Sequence, residues 1–189
     1  MRLAPIAPNA LVPELRHVHD EIAALMARTQ PRIVARDAAG ALIGPFPAML
    51  HFPQFGVPAL TFQRSLAAEA RLPKAVREVA ILTIGAAFGA RYELYAHEIT
   101  AAAIGLSPAQ IATLAAGGRP SGLRDEEAIA HDVARLLACG RIVPASTYEH
   151  AVGLLGRDGF AELVFLAGGY GLIAMLLNAF DVPVPDADV

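Results

Sequence analysis

Residues 72–111 read LPKAVREVAILTIGAAFGARYELYAHEITAAAIGLSPAQI, and the fold turns on how this stretch is punctuated. Pro73 suits a first helical turn and opens an apolar helix running to about Phe88. Gly89 separates it from a second helix, about Ala90 to Ile104, which Gly105 ends. Ser107 followed by Pro108 is an N-cap with proline at N1, and predicts a short helix to Ala116. Outward from this core the pattern stays helical. Downstream, GGRPSG at 117–122 is a turn cluster, and helices are expected over Asp125–Cys139, Pro144–Leu155 and Gly159–Phe180. The tail DVPVPDADV is too rich in proline and acid to extend the last one. Upstream, Leu11, Leu15, Val18, Ile22 and Leu25 form one helical stripe across Leu11–Met26. Thr29–Gly44 reads as a connector, Pro47–Phe52 as a short proline-bounded piece, and Pro58–Ala70 as a helix. No strand alternation runs longer than a few residues, so the fold class is all-α.

The chain has 189 residues, enough for one domain. Its hydrophobic share is 55% and its charged share 17%, with a mean hydropathy of +0.46, which excludes disorder over most of its length. This is more apolar surface than a small monomer needs, and subunit packing is expected. Net charge is −3 and Lys74 is the only lysine, so no basic cluster could follow a run of phosphates and no nucleic acid is expected as partner. Cys139 is the sole cysteine, which rules out an intramolecular disulfide, a CxxC redox pair and a cysteine-only metal site. It falls in the last turn of an apolar helix and is expected to be a buried small hydrophobe.

Leu163–Phe180 carries no charge and touches the lower length limit for a membrane span. It contains Gly168, Gly169, Gly171 and Asn178 and has no flanking Lys or Arg cluster, so it reads as a helix buried by the fold and by neighbouring subunits, with no membrane. The N-terminus has Pro5, Pro8 and Pro13 and no continuous apolar run, unlike a signal peptide. A cytoplasmic protein is expected.

The densest polar constellation lies in the opening stretch. Glu93 and His97 are four apart and share a helix face that continues through Thr100, Ala101 and Ile104. A carboxylate beside an imidazole favours the charged ring, while burial disfavours it, and together they suit general acid–base chemistry. Equally, the two form only a structural i,i+4 pair. Arg77 and Glu78 occupy the first turns of the preceding helix, and a short antiparallel connection at Gly89 brings Glu78 toward His97 if the crossing allows. Glu78 alternatively pairs with Lys74 one turn earlier. Arg77 is a candidate clamp for an anionic substrate group, or simply a surface residue. Glu93 and His97 lack a third ligand, so no metal is expected. His17 and His19 face different ways on their helix, and His51, His131 and His150 stand alone. Tyr92, Tyr95 and Tyr170 either line a pocket or pack in the core.

The ordered set LPxxxRE, an apolar helix, G-A-x-Y-E-x-x-x-H, small residues and G-L-S-P-x-x-I resembles the core of the carboxymuconolactone decarboxylase and alkylhydroperoxidase D-like superfamily. GALIGPFPAMLHFP (40–53) is similar to the family's upstream helix, and GGYGLIAMLLNAFDVPVP (168–185) to its C-terminal helix. The resemblance implies one AhpD-like helical-bundle domain over residues 1–189, with a family core at about 40–185 and an N-terminal helical extension at 1–39. It also implies a homo-oligomer, trimer or hexamer, and a small-molecule substrate.

In peroxidase members, the glutamate of the RE dipeptide, a CxxC pair and a histidine four residues on form a redox site. The matching positions here are Glu78, then Ala90 and Glu93, then His97, so both thiols are absent and disulfide-based peroxide reduction has no nucleophile. The decarboxylase branch, with a glutamate four residues before the histidine, is the closer resemblance. It implies a carboxy-lyase-like enzyme without a cofactor. His97 would shuttle the proton that replaces carbon dioxide, Glu93 would set its tautomer, and Glu78 would assist. Arg77 would hold a substrate carboxylate, with Tyr92 and Tyr170 on the pocket wall. The chain departs from that branch in its longer ends and in having no tryptophan. The alternatives are peroxidase-type antioxidant activity and a helical oligomer without catalysis.

Overall fold

The computed structural model describes residues 1–185; Asp186 to Val189, the end of the acidic tail, lie outside the described residues. Eight α-helices follow in order: α1 (Pro13–Thr29), α2 (Phe46–His51), α3 (Pro53–Ala68), α4 (Lys74–Phe88), α5 (Arg91–Ala103), α6 (Pro108–Ala115), α7 (Asp125–Ala138) and α8 (Ala145–Ala179). Among the described residues the only β-type pairing is one isolated bridge, Arg36 to Leu42, within the connector after α1. The architecture is all-α, as the punctuation implied.

α4 is the centre of the bundle because it is apolar nearly all round. Val76, Val79, Ala80, Ile81, Leu82 and Ile84 are all buried, and a helix with no polar stripe has to be surrounded. It packs against α5, α6, α7 and α8. One side meets Ile129, Val133, Leu163 and Leu166 of α7 and α8, and the other meets Ala101, Ile111 and Leu114 of α5 and α6. A third cluster joins Leu11 and Ile22 to Met49, Leu60, Tyr92, Ile173 and Leu177, tying α1 over α2, α3, α5 and α8. α6 carries a complete capping box, Ser107 accepting from the Gln110 amide while the Gln110 side chain accepts from the Ser107 amide.

Two expectations shift. α3 begins at Pro53, not near Pro58, and holds Pro58 inside its first turns, where its missing N–H costs one ladder hydrogen bond. The separate helices expected before and after residue 156 are both present as the two arms of α8, which breaks at Gly156, whose φ of 74° only glycine adopts without strain. Cys139 is exposed, because α7 ends at Ala138 and Gly140 turns the chain away.

α8 is long and apolar enough to cross a membrane by length and composition, and 44% of its most apolar window is buried. Leu163, Leu166, Ile173, Ala174 and Leu177 face the core. Val164, Phe165, Leu172 and Met175 are exposed, so the helix is covered on one face only.

Candidate active site

α4 and α5 form a hairpin whose sharp turn at Gly89 sets α5 back along α4. This brings Glu78, near the start of α4, against His97, on the second turn of α5. His97 Nδ1 donates to Glu78 Oε2 at 2.8 Å, with both side chains largely shielded. The pairing fixes the ring: with Nδ1–H given to the carboxylate, the basic nitrogen of neutral imidazole is Nε2. The Tyr170 ring of α8 stands edge-on to the imidazole, centroids 5.0 Å apart and planes at 87°.

Glu93 does not hold the tautomer of His97 as the resemblance implied. It shares a face with His97 but makes no hydrogen bond to it; the tautomer is held by Glu78. Glu93 is 2% exposed and neither carboxylate oxygen has a partner. Its Oε1 lies beside Gly85 of α4, where an added Cβ would stand 3.3 Å away. Burial pushes the Glu93 carboxyl well above the ordinary carboxylate range, so it holds a proton where Asp and Glu normally do not. The Tyr170 phenol is raised by burial and then by the negative charge of Glu78 and Glu93, and the Tyr92 phenol by burial and Tyr95.

These groups open onto one cavity of about 290 Å³, walled mainly by apolar side chains of α1, α2, α3, α5 and α8. Tyr92, Glu93, His97 and Tyr170 line it together. Glu78 sits behind His97 and does not reach it. Arg77 is also outside: its Nε lies 3.8 Å from Glu162 Oε1, and Glu162 Oε2 accepts from the Arg71 and Leu72 amides. A guanidinium turned to Glu162 is not placed to clamp a group in the cavity. Cys139 is not part of the lining either.

One wall could not be read from the sequence. Ile22, Leu25, Met26 and Gln30 of the N-terminal segment close the cavity, and Gln30 accepts from the Thr100 hydroxyl of α5 at 3.1 Å. The segment is further stitched down by Tyr92, whose hydroxyl donates to Val34 O, and by Tyr95, which accepts from the Val34 amide. The amphipathic stripe of α1 announced a buried face but carried no signal of what that face covers. Among the described residues no three His, Cys, Asp or Glu side chains gather as a metal site.

No family model matches the chain, and comparison with curated proteins gives no match. Solved structures do match. The chain shares its fold with the alkylhydroperoxidase AhpD core, as seen in an uncharacterized peroxidase-related protein from Ralstonia eutropha JMP134. That likeness has a TM-score of 0.78 at 16% identity and covers 98% of this chain and 92% of that one. A cysteine-to-alanine variant of the debrominase Bmp8, solved with 2,3,4-tribromopyrrole, is similar at a TM-score of 0.75 and 13% identity, over 99% and 93% of the two chains. The fold is thus AhpD-like along nearly its whole length; at these identities the likeness is one of architecture.

Proposed function

We propose that the protein is a carboxymuconolactone decarboxylase-like enzyme that performs acid–base chemistry, decarboxylation or lactone conversion, on a small organic acid or lactone without a cofactor. The observation that carries this reading is His97, backed by Glu78 and set with the unpartnered Glu93 on the wall of one apolar cavity. In a lactone conversion, Nε2 of His97 takes a proton from carbon next to the substrate carbonyl, and the imidazolium is stabilised by Glu78, a positioning residue. The protonated Glu93 carboxyl donates to the carbonyl oxygen as negative charge gathers there. Return of the proton from His97 to another carbon completes a shift with no net loss of atoms. In decarboxylation, the substrate carboxylate leaves as carbon dioxide and the carbanion takes its proton from the His97 imidazolium. Dry surroundings strengthen each of these interactions.

The chain is further proposed to act as one domain in the cytoplasm and to assemble as a trimer or hexamer through the apolar α8 face bearing Phe165, Leu172 and Met175. The test of the reaction is deuterium incorporation and carbon dioxide release from a panel of lactones and oxo acids in heavy water. Wild type is expected to catalyse one or the other, and His97→Ala to lose it while keeping its fold and assembly. Turnover retained by His97→Ala defeats the assignment.

A further inference from the structure

Most polar side chains of the cavity wall are committed to the fold. Thr29 donates to Leu25 O, Tyr92 donates to Val34 O, and Gln30 and Gln63 are each held at one end. The two amides keep a free end, but an amide does not gain or lose a proton at neutral pH. Arg64, the only guanidinium on the wall, pairs with Glu21 at 2.8 Å on the exposed rim. Glu93 is packed into the wall with both oxygens buried, Oε1 beside Gly85. Two groups remain for an incoming ligand to meet first. Nε2 of His97 is the unpaired ring nitrogen, because Nδ1 is given to Glu78. The Tyr170 hydroxyl has no hydrogen-bond partner among the described residues, and it is not one of the polar atoms sealed from solvent.

These two stand together. The Tyr170 ring of α8 meets the His97 ring of α5 at 87°, centroids 5.0 Å apart, so a group that touches one is beside the other. Their chemistry is complementary. Neutral imidazole accepts a proton at Nε2, whereas a phenol, with its ordinary pKa of about 10, stays a donor at neutral pH. The charged and titratable groups around the pair are Glu78 behind the imidazole, Glu93 one turn before it, and Arg77, which is turned to Glu162. A proton passing from a ligand to Nε2 sets the imidazolium between the Glu78 carboxylate and the ligand it came from. Total charge is unchanged, and the positive ring now has negative charge on both sides. The ligand oxygen that gathers this charge still needs a hydrogen bond inside an apolar enclosure. A carboxylate, already ionised, has no proton to give and adds a second negative charge where no cation is free.

We propose that Tyr170 is a catalytic residue of this site, its hydroxyl holding the oxygen of a ring enolate or phenolate as the proton goes to Nε2 of His97. The step balances: a C–H or O–H bond of the ligand breaks and leaves its electron pair on the ligand, and an N–H bond forms on His97. The assignment rests on the reading of this cavity as the reaction site, and narrows its ligands to rings that carry their negative charge on one oxygen. The cavity of about 290 Å³ is about twice the roughly 150 Å³ that holds benzene, so one substituted ring fits.

The test is titration of the full chain with 4-nitrophenol, whose phenol and phenolate differ in colour, and with 4-nitroanisole, its methyl ether, which has no proton to give. The buffer is held below the pH at which free 4-nitrophenol ionises. Wild type is expected to bind 4-nitrophenol at least about tenfold more tightly than the ether, the scale of one buried hydrogen bond, and to show the phenolate band when bound. Tyr170→Phe, which keeps the ring against His97, is expected to lose about tenfold for 4-nitrophenol and nothing for the ether. His97→Ala is expected to bind 4-nitrophenol without the phenolate band. The proposal is overturned if 4-nitrophenol does not bind or binds as the neutral phenol, if the ether matches it, or if Tyr170→Phe binds it like wild type. Equal losses for both ligands in Tyr170→Phe overturn it too, since they mark a packing role. The heavy-water assay separates this from the reaction. Turnover that depends on His97 and not on Tyr170 removes the Tyr170 assignment alone. Phenolate binding that depends on Tyr170, with no turnover of any lactone or oxo acid, removes the reaction and leaves the oxygen-binding pair.

Discussion

Glu93 is the residue whose protonation the structure makes most consequential, and Glu93→Gln isolates it. In the folded chain the carboxyl is enclosed by Gly85, Tyr92, His97 and Tyr170, with Glu78 behind His97 and Arg64 out at the rim, and no donor reaches either oxygen. Its folded pKa is therefore raised well above 4.5 by burial, while in the unfolded chain it titrates near that ordinary value. Between the two pKa values the folded chain holds a proton that the unfolded chain has lost. Stability consequently falls as pH rises through this window, at up to about 1.4 kcal/mol per pH unit, and the fall ends above the folded pKa. For a chain of this length that slope corresponds to about 3–6 °C in Tm per pH unit.

Glutamine has the same shape as the protonated carboxyl and cannot ionise. Wild type and Glu93→Gln should therefore be nearly equal below pH 4.5 and diverge above it, the variant becoming the more stable by neutral pH. Urea unfolding at half-unit steps from pH 4 to 8 measures the difference. Groups common to both chains cancel. The Asp132 carboxyl, for example, is raised by partial burial but held low overall by hydrogen bonds from Arg119 and His131, and contributes the opposite trend to both. Parallel stability curves, or a variant less stable throughout, would refute the idea that Glu93 is a desolvated, unpartnered acid.

Further outcomes follow from neighbouring features. Glu78→Gln should lower turnover and move its pH profile with helicity unchanged, because it removes the charge that orients His97 and not a group on the cavity wall; turnover that falls only as far as the folded fraction does would make Glu78 a merely structural residue. Gly44→Ala should destabilise the fold by about 1–3 kcal/mol, since its Cβ would stand 2.5 Å from Cε1 of Tyr92 at a φ of 75°. Thermal melts beside a Tyr92→Phe control measure it. Ser107→Ala, which opens the capping box of α6, should cost about 1 kcal/mol by urea unfolding. Met175→Glu on the open α8 face should yield a smaller species by light scattering with its helicity intact.

The fold was legible because its breaks are chemical. Gly89, Gly105, Ser107–Pro108 and Gly140 stop or start helices through backbone geometry that needs no tertiary partner, and the structure ends and begins helices beside each of them. Pro58 misled for the converse reason: proline early in a helix is tolerated when the helix is anchored elsewhere, here by Gly56, which packs α3 directly onto the Met49 backbone of α2. The site was legible as a set of residues but not as a set of contacts. The i,i+4 spacing of Glu93 and His97 guarantees a shared face, and says nothing about which carboxylate reaches the ring. That choice was made by the crossing of α4 and α5, a tertiary quantity. Arg77 likewise carried no local sign of Glu162, which arrives from α8.

The AhpD-like architecture leaves a specific question at Ala90 and Glu93, the positions that by resemblance would carry the two thiols of a peroxidase. A thiolate donates an electron pair to peroxide oxygen and is itself oxidised; a carboxyl in its place has no such electrons to give and can trade only a proton. Here the carboxyl is buried against Gly85, relieved by no partner, and raised in pKa by that burial, one helical turn before a histidine whose Nδ1 is already committed to Glu78. The sole cysteine, Cys139, stands exposed at the end of α7 and is not part of the cavity wall. The proposed acid–base reading therefore rests on His97, whose Nε2 is left free by the Nδ1–Glu78 bond, and calls on no thiol.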